Sequence, residues 1–182
     1  MAGNLDQNDP AGSTDPAGNQ GAGRSPSEIA EADFEHLKDP ARRVAFIEWV
    51  AAQSWAGHKT PMLRKALVAD PSQEVQLAAL GASLKLAMKS SQGSIAEVLR
   101  TGLGAANARV VQQSLREARK HPSVELVPDL VEIANSSAPH RFLAIDALAF
   151  TDEPEARAKV IEWAGREDGD KIERIRAVAL LS

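Results

Sequence analysis

A helix-start phrase recurs along this chain and resets the same hydrophobic register at intervals of about thirty residues. Asp39-Pro40 precedes Val44, Asp70-Pro71 precedes Val75, and Asp170 opens a third stretch that reaches Ile175 without the proline. The apolar pattern downstream also repeats: Val75, Leu77, Ala79 and Leu80 match Leu143, Ile145, Ala147 and Leu148. Corresponding anchors fall at Val44, Val75, Val111, Leu143 and Ile175. A repeated helical unit cannot bury its apolar stripe alone, so it stacks on its neighbours. The expected fold is all-α, an α-α superhelix of about five antiparallel helix pairs.

Composition supports helix against sheet. Hydrophobic residues make up 43% of the 182, yet aromatics are only 4% and tyrosine is absent. An alanine-rich interior suits close helix packing, whereas a sandwich draws on β-branched and aromatic residues. No stretch alternates apolar and polar residues long enough to argue for a strand. The formal net charge of -4 disfavours non-specific binding to nucleic acid or to membrane surfaces. With no cysteine there is no disulfide framework, thiolate metal site or cysteine nucleophile. No apolar run is long enough to span a bilayer, and the first residues lack a signal-peptide pattern. A cytoplasmic location is expected, or a periplasmic or membrane-tethered one if a leader or anchor belongs to the chain.

Two regions are expected. Residues 1–24 repeat Asp9-Pro10-Ala11-Gly12 as Asp15-Pro16-Ala17-Gly18 and hold only Leu5 as a large apolar side chain. Such a segment cannot offset its ordering entropy, so it reads as a disordered tail or tether. Residues 25–182 form the helical region. Ser25-Pro26-Ser27-Glu28 carries the capping-box pattern, followed by Ile29, Phe34 and Leu37. Asp39 caps a helix bearing Val44, Phe46, Ile47, Trp49, Val50 and Trp55. Thr60-Pro61, Asp70-Pro71, Ser94 with Glu97, Asn107, Pro139 and Asp170 mark further starts. Gly102-Leu103-Gly104 reads as a helix-ending turn. The apolar end Ala177-Val178-Ala179-Leu180-Leu181-Ser182 lacks a polar cap, which suggests truncation, docking or self-association through the last helix.

This pattern resembles HEAT repeats. Glu125-Leu126-Val127-Pro128-Asp129-Leu130-Val131-Glu132-Ile133 is similar to the first helix of that unit. Asp70-Pro71-Ser72-Gln73-Glu74-Val75-Gln76-Leu77-Ala78-Ala79-Leu80 is similar to the second. The likeness covers residues 39–182. An arginine after the anchor occurs only as Ile175-Arg176, so an Asp-Arg ladder along the turns would be partial. The resemblance implies a solenoid whose second helices line a concave side, and it carries no single function.

No catalytic constellation is present, and none of His36, His58, His121 and His140 has a partner at metal-ligand spacing. Solvated loop histidines are the expectation, with no cofactor and no metal. The Asn135-Ser136-Ser137 sequon is too common to carry weight. A basic stripe is the main surface feature: Arg109, Gln113, Arg116 and Lys120 share one helix face, with Arg119 at its edge. His140 and Arg141 on the fourth second-type helix, and Lys171, Arg174 and Arg176 on the last, extend it. First-type helices carry acid instead, as in Glu28, Glu31 and Glu35. Trp49 and Trp55 cannot face the same way, and Trp55 is the candidate for an exposed binding anchor.

The leading expectation is a non-enzymatic scaffold binding a protein or peptide through its concave surface. The alternatives are a nucleic-acid binder of the HEAT-like DNA glycosylase kind and a subunit resembling phycobilin lyases. Net acidity and few aromatics disfavour the former, and the lack of a nucleophile or acid pair disfavours the latter.

Overall fold

A computed structural model describes residues 25–90, 92–136, 139–166 and 177–178. The expected tail, the Asp170 cap, Ile175 and most of the last helix lie outside the described residues. Nine α-helices occupy the described residues, with no strand: α1 (Pro26–His36), α2 (Pro40–Ala51), α3 (Pro61–Ala69), α4 (Gln73–Ala87), α5 (Gln92–Leu103), α6 (Ala108–Lys120), α7 (Val127–Ser136), α8 (Arg141–Ala149) and α9 (Pro154–Gly165). A 3₁₀ turn, Val124–Leu126, leads into α7.

Local chemistry explains most boundaries. Ser25 Oγ accepts from the Glu28 amide, while the Glu28 carboxylate accepts from the Ser25 amide at 2.6 Å, so both ends of the capping box form. Asp39 Oδ1 accepts from the Ala41 amide at 3.1 Å, and Asn107 Oδ1 from the Arg109 amide at 3.0 Å. Each satisfies an amide that the first turn leaves without a helical partner.

Several starts differ from expectation. Asp70 closes α3 instead of opening the next helix; Ser72 is the residue before α4. The Asp70 carboxylate is recruited from far away, accepting from Arg43 Nη2 of α2 at 3.1 Å and from the Ser72 amide at 2.9 Å. Ser94 lies inside α5, which begins at Gln92, so it is not a cap. Thr60 ties to Gly57 through both its hydroxyl roles instead of capping α3. Trp55 lies beyond the end of α2, and Ile29 is 47% exposed, leaving Ala30 and Phe34 to bury α1.

The helices pack in neighbouring pairs. α3 packs on α4, α5 on α6, and α7 on α8, with α9 laid against α8. Along one row α2 meets α4, α4 meets α6, and α6 meets α8. Along the other, α1 meets α3, α3 meets α5, α5 meets the 3₁₀ turn, and α7 meets α9. One core, rich in leucine and alanine, runs from Ala30 to Ala177. Ion pairs follow the same connections: Lys65 with Glu31 and Glu35, Arg43 with Asp70, Arg100 with Asp129, and Arg119 with Asp146.

Gly102 is where the helices come closest. It is buried within α5 and does not end it, because α5 continues through Leu103. A Cβ there would overlap Ser114 Oγ of α6 and lie 3.2 Å from Ser114 Cβ and 3.3 Å from Leu80 Cδ1. Only a residue without a Cβ allows that approach.

Candidate interaction surface

Burial exposes a register shared by α2, α4, α6 and α8. In α4 the inward positions are Val75, Gln76, Ala79 and Leu80; in α6 they are Val110, Val111, Ser114 and Leu115. In α8 the matching positions are Leu143, Ala144, Ala147 and Leu148, with Ile145 buried besides, and in α2 they are Phe46, Ile47, Val50 and Ala51; Leu143 and Phe46 are half-buried. In this register Phe46 and Val110 align with Val75 and Leu143, where the sequence spacing places Val44 and Val111; Val111 is buried as well. Val44 and Phe46 are both half-buried.

Equivalent outward positions follow from that register. Trp49, Ala78, Gln113 and Asp146 occupy one position, and Ala52, Gly81, Arg116 and Ala149 the position a turn later. All eight remain at least partly accessible. Trp49 is 52% exposed and stacks at a tilt on Phe46, ring centroids 5.3 Å apart. Trp55 packs partly buried against the core, so the exposed aromatic anchor is Trp49. A groove of about 250 Å³ runs between α4 and α6, lined by Leu77, Leu80, Gly81, Leu84, Gln113 and Glu117.

The basic stripe is narrower than its sequence suggests. Arg109 and Arg116 are exposed, with no ion pair among the described residues. Gln113 donates to Glu117 Oε1 at 2.8 Å, and Lys120 Nζ lies 2.9 Å from the same oxygen, so that half of the stripe is locally neutralised. Arg119 is 3.2 Å from Asp146 and stacks over Phe150 at 4.5 Å. Arg141 is committed internally: its Nε donates to the Ala134 carbonyl at 3.1 Å and its guanidinium lies 4.6 Å from the Trp163 ring. Arg166 stacks on Trp163 at 4.0 Å, which leaves Trp163 only 4% exposed. His140 is partly buried at the start of α8, its Nδ1 lacking a hydrogen-bond partner. Lys171, Arg174 and Arg176 lie outside the described residues. Lys85 of α4, absent from the sequence-based stripe, is exposed beside the groove-lining Leu84.

Elsewhere, His58, Lys59, Arg64, Leu67, Ser83, Glu97, Val98 and Thr101 surround a cleft of about 60 Å³. Lys59 Nζ is 3.0 Å and His58 Nε2 3.6 Å from Glu97 Oε2. The hydrogen bond from Lys59 holds the Glu97 carboxyl below its usual range, opposed by burial and helped by the charges of Lys59 and His58. These groups tie the α2–α3 connection to α5. The His58 side chain is largely buried, unlike a solvated loop histidine, and its Nε2 has no hydrogen-bond partner among the described residues. Among the described residues no group of three or more His, Asp or Glu side chains is arranged to hold a metal ion, and no helix is long and apolar enough to cross a membrane.

The chain matches no protein-family model, no curated protein and no solved structure.

Proposed function

We propose that the chain is a HEAT-like α-solenoid acting as a non-enzymatic scaffold, and that it binds a protein or peptide along the outward face of α2, α4, α6 and α8. The observation carrying this reading is the shared register. Four helices, each packed on the next, place Trp49, Ala78, Gln113 and Asp146 at one equivalent outward position. Side chains repeated in that way make an extended surface from a small unit, which is how repeat proteins bind. An exposed tryptophan, an apolar groove and two arginines without ion-pair partners among the described residues supply the residue types that concentrate binding energy.

Affinity capture with the full chain, against its own lysate, tests the reading. Trp49→Ala combined with Arg109→Glu and Arg116→Glu should lose partners that Arg64→Glu, on α3, retains. Retention by both variants would contradict it, and loss only on removing residues 1–24 would move the binding site to the tail. The exposed Arg109 and Arg116 also favour a second reading, phosphate contact with nucleic acid. The net charge of -4 and the exposed Glu74 of α4 oppose it by like-charge repulsion with phosphates. A salt-sensitive shift of labelled duplex DNA, abolished by Arg109→Glu and Arg116→Glu, would favour nucleic acid over protein.

A further inference from the structure

Gly81 sits in the middle of α4, among residues that otherwise favour helix, and it is exposed. A glycine there costs about 0.5–1 kcal/mol relative to alanine. Packing does not require it: a Cβ at Gly81 would meet nothing within 4 Å. The contrast with Gly102, whose Cβ would strike Ser114, is direct. Gly81 also lines the α4–α6 groove, where Leu77, Leu80 and Leu84 supply an apolar floor. Three exposed cations without ion-pair partners among the described residues lie on the same helix faces by periodicity: Lys85 four residues after Gly81 on α4, and Arg109 and Arg116 three or four residues from the groove-lining Gln113 on α6. The nearby Glu117 is already engaged by Gln113 and Lys120, which leaves Glu74 as the uncompensated acid on these two faces.

Resting on the scaffold reading above, we propose that this groove seats an acidic amphipathic helix of a partner protein, its backbone crossing close over Gly81. Two adjacent helices present a channel that accepts a third helix ridge at about 8–10 Å between axes, and small residues at the crossing allow the shorter distance. Leucine-type side chains of the partner fill the space over Leu77 and Leu84, and its carboxylates reach Lys85, Arg109 and Arg116. The cationic rim selects against a basic helix by like-charge juxtaposition.

The test uses the full chain and two labelled synthetic helices with leucine at i, i+3, i+4 and i+7, one with glutamate and one with lysine at the other positions. Fluorescence anisotropy should show binding of the glutamate probe, weakened by salt, and none of the lysine probe. Gly81→Leu should weaken the glutamate probe by about tenfold or more, a loss of about 1.4 kcal/mol. Its thermal unfolding should show no loss of stability, since the open site admits the side chain. Arg116→Glu should weaken the probe similarly. Equal binding by Gly81→Leu, equal binding of both probes, or competition by duplex DNA would overturn the proposal. So would concentration-dependent self-association, read by sedimentation and abolished by Gly81→Leu, because the occupant would then be a second copy. If lysate capture depends on Trp49 and Arg109 but not on Gly81, the groove proposal fails while the scaffold reading stands. Capture indifferent to all of these residues removes the scaffold reading itself.

Discussion

Replacing Gly102 by alanine tests the packing of α5 on α6 at its tightest point. The added Cβ would overlap Ser114 Oγ and press on Leu80 Cδ1 at 3.3 Å. Ser114 has little freedom to yield: it is fully buried, and its hydroxyl donates to the Val110 carbonyl at 2.9 Å. Overpacking of this kind costs about 1–3 kcal/mol, and the gain in helix propensity on losing a glycine returns up to about 1 kcal/mol. With the full propensity gain returned, the net loss is up to about 2 kcal/mol, which for a domain of this size lowers the midpoint by up to about 4–8 °C. Thermal unfolding followed by circular dichroism at the helical band reads it directly. Ser114→Ala removes the obstructing oxygen while leaving the Val110 carbonyl its helical amide, so on its own it should change stability by no more than about 0.5 kcal/mol. Gly102→Ala with Ser114→Ala should recover at least half of the single-variant loss, a coupling that a double-mutant cycle isolates. A Gly102→Ala midpoint at or above wild type, or a double variant no better than Gly102→Ala, would refute the close approach of these helices.

The remaining predictions concern separate sites. Gly81→Ala should raise stability in urea unfolding by about 0.5–1 kcal/mol; a fall would mean the fold itself needs that glycine. Asp70→Ala strands the largely buried Arg43 and frees the Ser72 amide, and should cost about 2–4 kcal/mol in the same assay; a change near zero would discount the α2 to α3–α4 tie. Leu130→Asp places a charge where side-chain exposure is 1%, so cooperative helical melting should be lost; unchanged unfolding would count against the core assignment. Burial pushes the Asp146 carboxyl above its ordinary range despite the opposing pull of Arg119. A carboxyl raised in the folded state binds its proton more tightly there, so its contribution is best in acid and declines as pH rises through the unfolded and then the folded value. Asp146→Asn should accordingly be the more stable protein at about pH 7 and lose that advantage near pH 3, as read from urea midpoints; a deficit at neutral pH would show that pairing with Arg119 outweighs burial.

Features determined within a few residues were legible in the sequence. The capping box at Ser25 and Glu28 and the caps at Asp39 and Asn107 form as their spacing implies, because each cap satisfies an amide two or three residues away. The all-helical composition and the recurrent apolar pattern follow from the same local periodicity. Errors arise where a distant partner decides. Asp70 looks like a helix opener until Arg43 claims it across the fold. Gly102 looks like a turn until Ser114 is seen against it. In α2 the apolar residues surround much of the helix, so Val44 and Phe46 are both half-buried and spacing alone does not choose between them as the anchor. The basic stripe was partly legible: Arg109 and Arg116 are exposed, but Glu117 and Trp163 absorb Lys120 and Arg141 through contacts that helix periodicity does not encode. Gly81 carried a sequence signal, a lone glycine inside a strong helix pattern, whose meaning depended on knowing that nothing packs on it.

Site-specific photo-crosslinking asks most directly whether the outward face of the even-numbered helices is where a partner sits. A benzophenone amino acid placed at Ala78 of α4, an outward position that leaves Gly81 untouched, and separately at Arg64 of α3, would be irradiated with the full chain in its own lysate. A discrete adduct from position 78, lost on adding Arg109→Glu and Arg116→Glu and absent from position 64, is the predicted result. Adducts from position 64 alone would contradict it and assign binding to the opposite layer.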